Sequence, residues 1–291
     1  TFLLDWMQVY MEAQESAGKK DGSQIKIAMR ILKDYAGEMV TLDQIDGDFC
    51  RGYITYLLTE YHPKGKDISN YTLHNYYRAL NGALNSAVRK RKMKATPFNE
   101  LEKSEKIRKP ESMRSYMTIE EVQALIDTPM PHEEYEIVKC AYLFSCFCGL
   151  RISDIIKLKW NDVFVDRGQY RLAVSMKKTK EPIYLPLSPE ALKWMPERGG
   201  KSSEDNVFDL PSANTIRMQL KPWAKAAGIS KRFSYHTSRH TFATMMLTLG
   251  ADLYTVSKLL GHADVKMTQV YAKIINKKKD EAVNLVNGLF H

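Results

Sequence analysis

The sequence predicts a mainly α protein with a small β component (α+β), built as a helical N-terminal domain and a mixed second domain. Three observations carry this. Apolar residues recur at helical spacing through roughly the first 100 positions. One stretch, 170–187, alternates like a pair of strands. A charged, proline-containing segment, KSEKIRKPESMRSYM (Lys103 to Met117), lacks apolar periodicity and reads as a linker. The division that follows is 1–103, a linker at 104–117, and 118–291. A chain of 291 residues is comfortable for two domains.

The elements follow in order. Leu3, Trp6, Met7, Tyr10 and Met11 mark a first helix. A second runs from about Ser23 to Tyr35 and stops at Gly37. A third follows Asp48 as N-cap and ends near Pro63; a long fourth follows Ser69 as N-cap and runs into RKRKMK. After the linker, Thr118-Ile-Glu-Glu121 is a capping-box pattern that opens a helix over 118–127. Further helices are expected at 133–148, with Gly149 as a C-terminal stop, and near 212–227, 237–249, 252–260 and 264–272. Residues 170–176 and 182–187 read as a hairpin with a basic tip. At the end, Ala282, Leu285, Val286 and Leu289 share one helix face.

Composition narrows the classes of function. Hydrophobic residues make up 44% and charged residues 26%, a globular balance. The net charge of +9 points to a polyanionic partner, nucleic acid or an anionic membrane surface. No apolar run reaches the roughly 18 residues of a membrane span. No signal-peptide pattern is visible, and the chain starts at Thr1 rather than Met, so a piece of a longer protein is expected. Cys50, Cys140, Cys146 and Cys148 lack CxxC spacing and read as buried, reduced thiols. His236 and His240 stand at i, i+4, but Thr237 occupies the position where a zinc protease needs Glu, so no metal and no other cofactor is expected.

Five segments place basic or hydroxyl groups in unusual settings: Gly149-Leu-Arg-Ile-Ser-Asp154, the hairpin tip at Lys178, His236-Thr-Ser-Arg-His240, Leu260-Gly-His262, and Tyr271. Each has a plainer reading by itself. Arg151 is an ordinary ion-paired arginine, Lys178 a soluble turn, His262 a helix cap and Tyr271 a core aromatic. Together, and in this order, they resemble the tyrosine recombinase (phage integrase) family. That family's pattern is an arginine in a GLR-type segment, a hairpin lysine, HxxRH, LGH, and a tyrosine nine positions beyond the last histidine, the spacing of His262 and Tyr271. The resemblance spans essentially the whole chain. It is strong in motif in the second half and architectural in the first third.

The resemblance implies a core-binding (SAM-like) DNA-binding domain over 1–103, a catalytic domain with a C-terminal tail helix over 118–291, and catalysis by Arg151, Lys178, His236, Arg239, His262 and the nucleophile Tyr271. The chemistry is physically coherent. Attack on a phosphodiester builds charge on non-bridging oxygens, and without a metal fixed cations must meet it; the planar forks of Arg151 and Arg239 suit that task. A phenol, with a pKa near ~10, ionises far more readily than an aliphatic alcohol. Nearby arginines lower it further, and His236 is a candidate acceptor for its proton. Lys178 is assigned to protonate the leaving 5′-oxygen; Lys177 and Lys180 are neighbouring candidates, and Pro186, eight positions after Lys178, matches the family's hairpin spacing. His262 is assigned to a phosphate oxygen or to orienting the tyrosine, and His240 to structural or secondary support.

The implied cycle is cleavage to a 3′-phosphotyrosine and rejoining by attack of a partner strand's 5′-hydroxyl, with no ATP. The implied partners are double-stranded DNA recombination sites, further copies of the chain in a tetramer on a Holliday junction, and accessory DNA-bending proteins, in a bacterial cytoplasm at the nucleoid. The role expected is that of a mobile-element integrase. Candidate DNA contacts are Lys64, Lys66, Arg89, Lys90, Arg91, Lys92, Lys94, Lys177 and Lys180. Two other readings stand beside this one: type IB topoisomerase-like relaxation, which shares the chemistry, and a non-catalytic DNA-binding protein.

Overall fold

The computed structural model describes residues 1–19, 21–110, 114–175 and 182–271, with the backbone alone at 64, 175 and 182. The expected hairpin tip with Lys177, Lys178 and Lys180 lies outside the described residues, as does the expected C-terminal helix. The chain divides into two compact units, Thr1–Ser112 and Met113–His291.

The first unit is built on four helices, α1 (Leu3–Ser16), α2 (Gly22–Ala36), α3 (Gly47–Thr59) and α4 (Asn70–Arg89). Their apolar faces meet in one core that includes Met7, Ile31, Tyr53, Leu80 and Leu84. The Trp6 indole N–H reaches the Ala83 carbonyl at 2.8 Å and ties α1 to α4. Ser69 caps α4 by accepting from the Thr72 N–H. At α3 the cap is Asp46, which accepts from the Phe49 N–H, and not Asp48, which lies in the first turn. The cap is the residue whose carboxylate reaches back over the exposed N–H groups from an extended backbone, and at Asp46 φ and ψ are −116° and −173°. Part of the expected linker is structured: Ile107 is buried in this core.

α4 ends in a hydrogen-bonded turn. The Arg91 N–H donates to Val88 O and the Lys92 N–H to Ala87 O, the two bonds of a Schellman motif. Arg91 occupies the left-handed position (φ 57°) that glycine usually fills. Arg89, Lys90, Arg91, Lys92 and Lys94 are all exposed around this turn, and Lys66 is exposed elsewhere in the unit.

In the second unit, α5 (Ile119–Asp127) opens on the Thr118–Glu121 capping box. α6 (Glu136–Cys148) follows a 3-10 turn at Glu133–Tyr135. α7 (Ile152–Ile155) precedes three antiparallel strands in the order β1 (Val163–Asp166), β2 (Gln169–Ser175), β3 (Pro182–Pro186). β1 joins the expected hairpin through Arg167 and Gly168, both at positive φ. Leu172 faces Val163 on one side and Leu185 on the other. Then come α8 (Pro189–Leu192), α9 (Ala213–Ala226), α10 (Tyr235–Thr248) and α11 (Leu253–Leu259). The helix expected over 264–272 is instead a 3-10 turn at Val265–Met267, started by Asp264 accepting from the Lys266 N–H. A bond that short in sequence closes a tighter turn than an α-helix.

α10 does not follow the amphipathic pattern. Its sequence begins YHTSRHT, yet Thr237, Ser238, Arg239, His240, Thr241 and Thr244 are all buried. It packs against α6, where the Tyr235 hydroxyl donates to Ala141 O at 2.7 Å. Buried polar side chains need partners, and these partners assemble the site.

Candidate active site

Four backbone segments converge on α10. The first is the end of α6. Gly149 stops that helix at φ 75°, where a side chain is strained, and a Cβ there would lie 2.6 Å from the Phe242 ring. Its carbonyl accepts from Arg239 Nη1 at 2.7 Å. The second is the end of α11. Leu260 O accepts from Arg239 Nη2 at 2.5 Å. One guanidinium thus clamps the backbone just before Arg151 and just before His262. Arg239 is only 4% exposed. Burial, and then the charge of Arg151, lowers its pKa to about 10, so it remains a cation at neutral pH. A guanidinium has five N–H donors, so three remain beyond these two bonds.

Arg151 follows Gly149 at the mouth of α7 and is half-buried, 3.9 Å from the Asp154 carboxylate. His262 follows Gly261, which has φ 59°, and its Nδ1 pairs with the Thr268 hydroxyl at 2.7 Å. Burial and the charges of Arg239, Arg151 and Arg114 hold the His262 pKa down at about 4.

The third segment carries Tyr271. Its N–H donates to Thr268 O, and its ring is buried in the small apolar cluster of Phe242, Ala243, Leu247, Val256 and Leu260. The phenolic oxygen meets His240 Nδ1. Burial raises the Tyr271 pKa, while Arg114, Arg239 and Arg151 lower it. Burial is the larger influence, so the side chain is a phenol until something further neutralises its charge.

The fourth segment leads into α5, and sequence reasoning placed it in the linker. Arg114 Nη1 lies 3.3 Å from His240 Nε2. The Met117 N–H donates to Thr241 Oγ1 at 2.9 Å, and Lys231 Nζ donates to Tyr116 O at 2.8 Å, fixing the segment against α10. Arg114 lies outside every motif in the sequence, and tertiary contacts of Met117 with Thr241 and of Tyr116 with Lys231 bring it to the site. The roles of the two α10 histidines also differ in position from expectation. The ring at the Tyr271 hydroxyl is that of His240. His236 packs edge-on against His240, with ring centroids 4.5 Å apart. Burial and the charges of Arg239, Arg114 and Arg151 lower the His236 pKa.

The structure therefore brings Arg151, His236, Arg239, His262 and Tyr271 to one place, with His240 and Arg114 added; Lys178 lies outside the described residues. Among the described residues, no three His, Cys, Asp or Glu side chains cluster as a metal site. A positive, partly desolvated pocket of this kind suits an oxyanion that develops during reaction. Among the described residues no helix is long and apolar enough to cross a membrane.

Comparison with known proteins places the chain in a family. The model of the phage integrase family matches residues 115–278, and that of the phage integrase SAM-like domain matches residues 2–109. A tyrosine recombinase of Pseudothermotoga lettingae is 29% identical over 242 residues, covering 75% of this chain and 82% of that protein. A tyrosine recombinase XerD of Vibrio vulnificus is 32% identical over 184 residues, covering 58% of this chain and 59% of that protein. The fold is similar to that of the Tn1549 transposon integrase in complex with transposon right end DNA, with a TM-score of 0.76, 16% identity and 99% of both chains covered. The chain belongs to the phage integrase family, the tyrosine recombinases, enzymes of site-specific DNA recombination that act by strand cleavage and rejoining.

Proposed function

We propose that Tyr271 is the nucleophile of this recombinase and that Arg151, Lys178, His236, Arg239 and His262 complete its catalytic set. The observation that carries this reading is the placement of the Tyr271 hydroxyl. It is held in a buried position, on a histidine ring, within the field of three arginines. A core tyrosine needs no such company.

In this reading Arg239 and Arg151 grip non-bridging oxygens of the scissile phosphate. The phosphate's own charge relieves their mutual repulsion. Tyr271 Oη attacks phosphorus, its proton passes to His236, and the bond to the 5′-oxygen breaks. Lys178 supplies the proton to that leaving oxygen. His262, neutral at physiological pH, hydrogen-bonds a phosphate oxygen. Reversal with a partner strand's 5′-hydroxyl expels the phenolate and rejoins DNA; the phosphotyrosine conserves the bond, so no nucleotide is consumed.

The partners in this reading are double-stranded recombination sites, further copies of the chain in a tetramer around a Holliday junction, and accessory DNA-bending proteins. The setting is the bacterial cytoplasm at the nucleoid, and the role that of a mobile-element integrase moving DNA in and out of a replicon. The exposed basic turn Arg89–Lys94 and Lys66, with Lys64, Lys177 and Lys180, contact backbone phosphates, so binding falls steeply with salt.

The test is covalent trapping on a library of nicked suicide duplexes, followed by sequencing of the bound sites. Tyr271→Phe is expected to abolish the covalent complex and to leave non-covalent binding near normal. A covalent complex that persists in Tyr271→Phe would overturn the assignment.

A further inference from the structure

His240 and Arg114 touch the reacting hydroxyl, directly and at one remove, yet neither has a part in the chemistry above. We propose that Arg114 locks His240 in the tautomer protonated on Nδ1, so that His240 donates a hydrogen bond to Tyr271 Oη and stabilises the phenolate instead of accepting its proton. This deepens the reading of Tyr271 as nucleophile and rests on it.

A guanidinium has donors only. Arg114 Nη1 lies 3.3 Å from His240 Nε2, so that nitrogen must present its lone pair. A neutral imidazole carries a single N–H. With Nε2 bare, the proton sits on Nδ1, the nitrogen that meets Tyr271 Oη. The phenolic oxygen then accepts, and its own proton must leave for another base, the part given to His236 in the reading above.

The ring has no opportunity to become doubly protonated near neutrality. Burial is the main cause, and the charged or titratable groups around it act in the same direction: His236 and Arg239 from α10, Arg114 from the segment before α5, and His262 from the loop after α11. Together they hold the His240 pKa down at about 3. The arrangement is also fixed mechanically. Met117 on Thr241 and Lys231 on Tyr116 O set the segment that carries Arg114. The Thr244 hydroxyl donates to the His240 carbonyl at 3.0 Å.

A fixed donor at the phenolic oxygen serves both halves of the reaction. It lowers the cost of the phenolate that attacks phosphorus, and it lowers the cost of the same phenolate when a 5′-hydroxyl expels it. His240 is on this account a catalytic residue, and Arg114 a positioning residue that acts through it.

Nitrogen-15 NMR of the full chain, with its histidines labelled, reads the tautomer without reference to activity. Nδ1–H is expected at His240, and an Nε2–H tautomer there would overturn the proposal. Arg114→Glu replaces a donor with an acceptor and is expected to switch His240 to Nε2–H, whereas Arg114→Lys keeps Nδ1–H. An unchanged tautomer in Arg114→Glu would equally overturn it.

Kinetics on the suicide duplex supply the second arm. His240→Asn keeps an N–H donor near the Nδ1 position and is expected to cleave about tenfold faster than His240→Asp, which is of similar size but has no donor and loses about 30-fold or more against the parent. In Arg114→Glu the rising limb of the pH–rate profile is expected to move up by at least about one unit, because both the direct attraction of Arg114 and a hydrogen bond to the charged form are lost, and His240→Asp, which keeps Arg114, isolates the second cause. Equal losses in the Asn and Asp variants, with both folded by circular dichroism, would count against the donor role. Failure of the nucleophile assignment shows separately, as a covalent adduct in Tyr271→Phe.

Discussion

α4 and α10 are both long helices at the centre of their units, and they are built on opposite rules. α4 turns Leu73, Leu80 and Leu84 inward and leaves Arg78, Arg89 and Lys90 outside, as the helical period requires. α10 buries an arginine, a histidine, a serine and three threonines beside Tyr235, Phe242, Ala243 and Leu247. Burying polar groups costs free energy unless each is bonded; Thr237, Ser238 and Thr244 bond within the helix or to its cap, while Tyr235, Arg239, His240 and Thr241 bond to segments distant in sequence. α4 is held by apolar contact that any well-shaped side chain can supply. α10 is held by a network in which each member is specific. The comparison locates function where packing is bought with hydrogen bonds and not with hydrocarbon.

The sharpest way to break the contrast is Arg239→Ala. It removes a buried cation facing the phosphate and is expected to lower the rate of covalent complex formation about 10³-fold. It also leaves Gly149 O and Leu260 O without their donor, so thermal unfolding should occur at lower temperature. Leu80→Ala in α4 is the counterpart. Leu80 is fully buried, and its truncation is expected to cost about 3 kcal/mol of stability in denaturant unfolding while leaving the cleavage rate per folded molecule unchanged.

Acid should act more on the site around α10 than on α4, whose one histidine, His74, is also held below its ordinary pKa by burial. His240 and His262 have folded pKa values near 3 and 4, below their ordinary value of about 6.5. Between those limits the unfolded chain binds more protons than the folded one, so stability is full above about pH 6.5 and declines as pH falls toward 4. A loss of up to about 4 kcal/mol from pH 7 to pH 5, about 2 from each ring, is expected by chemical denaturation, and should shrink in the double variant His240→Asn, His262→Asn to what His236 and His74 contribute. The smallest effect sharpens the other side. Arg91→Gly relieves a left-handed arginine and should stabilise the first unit by about 1 kcal/mol. If the basic turn meets DNA, the same change should weaken binding and lower the salt slope by about one.

Much of this was legible in the sequence because most elements are made locally. The capping box at Thr118, the stop at Gly149 and the periodicity of α1 to α4 each state their own structure. The motif residues of the site were legible through their spacing and order. What escaped was set by tertiary contact. β1 is a run of four residues, VFVD, too short to show alternation, and it is a strand because Arg167 and Gly168 fold it onto β2. The turn at Val265–Met267 carries helical spacing but is closed by Asp264. Arg114 is one of several cations in a charged stretch, and nothing within that stretch distinguishes it. His240 was present in HxxRH, but which ring of the pair would meet Tyr271 depends on how α10 rotates against the 3-10 segment.

The two carbonyl contacts of Arg239 have a bearing on how inactive reference proteins should be chosen. Gly149 and Leu260 stand on opposite sides of the sheet in sequence, and a single side chain closes the distance between them. Any substitution at Arg239 therefore changes charge and architecture at once, and its phenotype mixes the two. Tyr271→Phe alters one oxygen on a ring that stays in its apolar seat, so it is the variant with which binding and chemistry can be told apart. By the same logic, natural drift at Arg239 is penalised twice over, once by catalysis and once by folding.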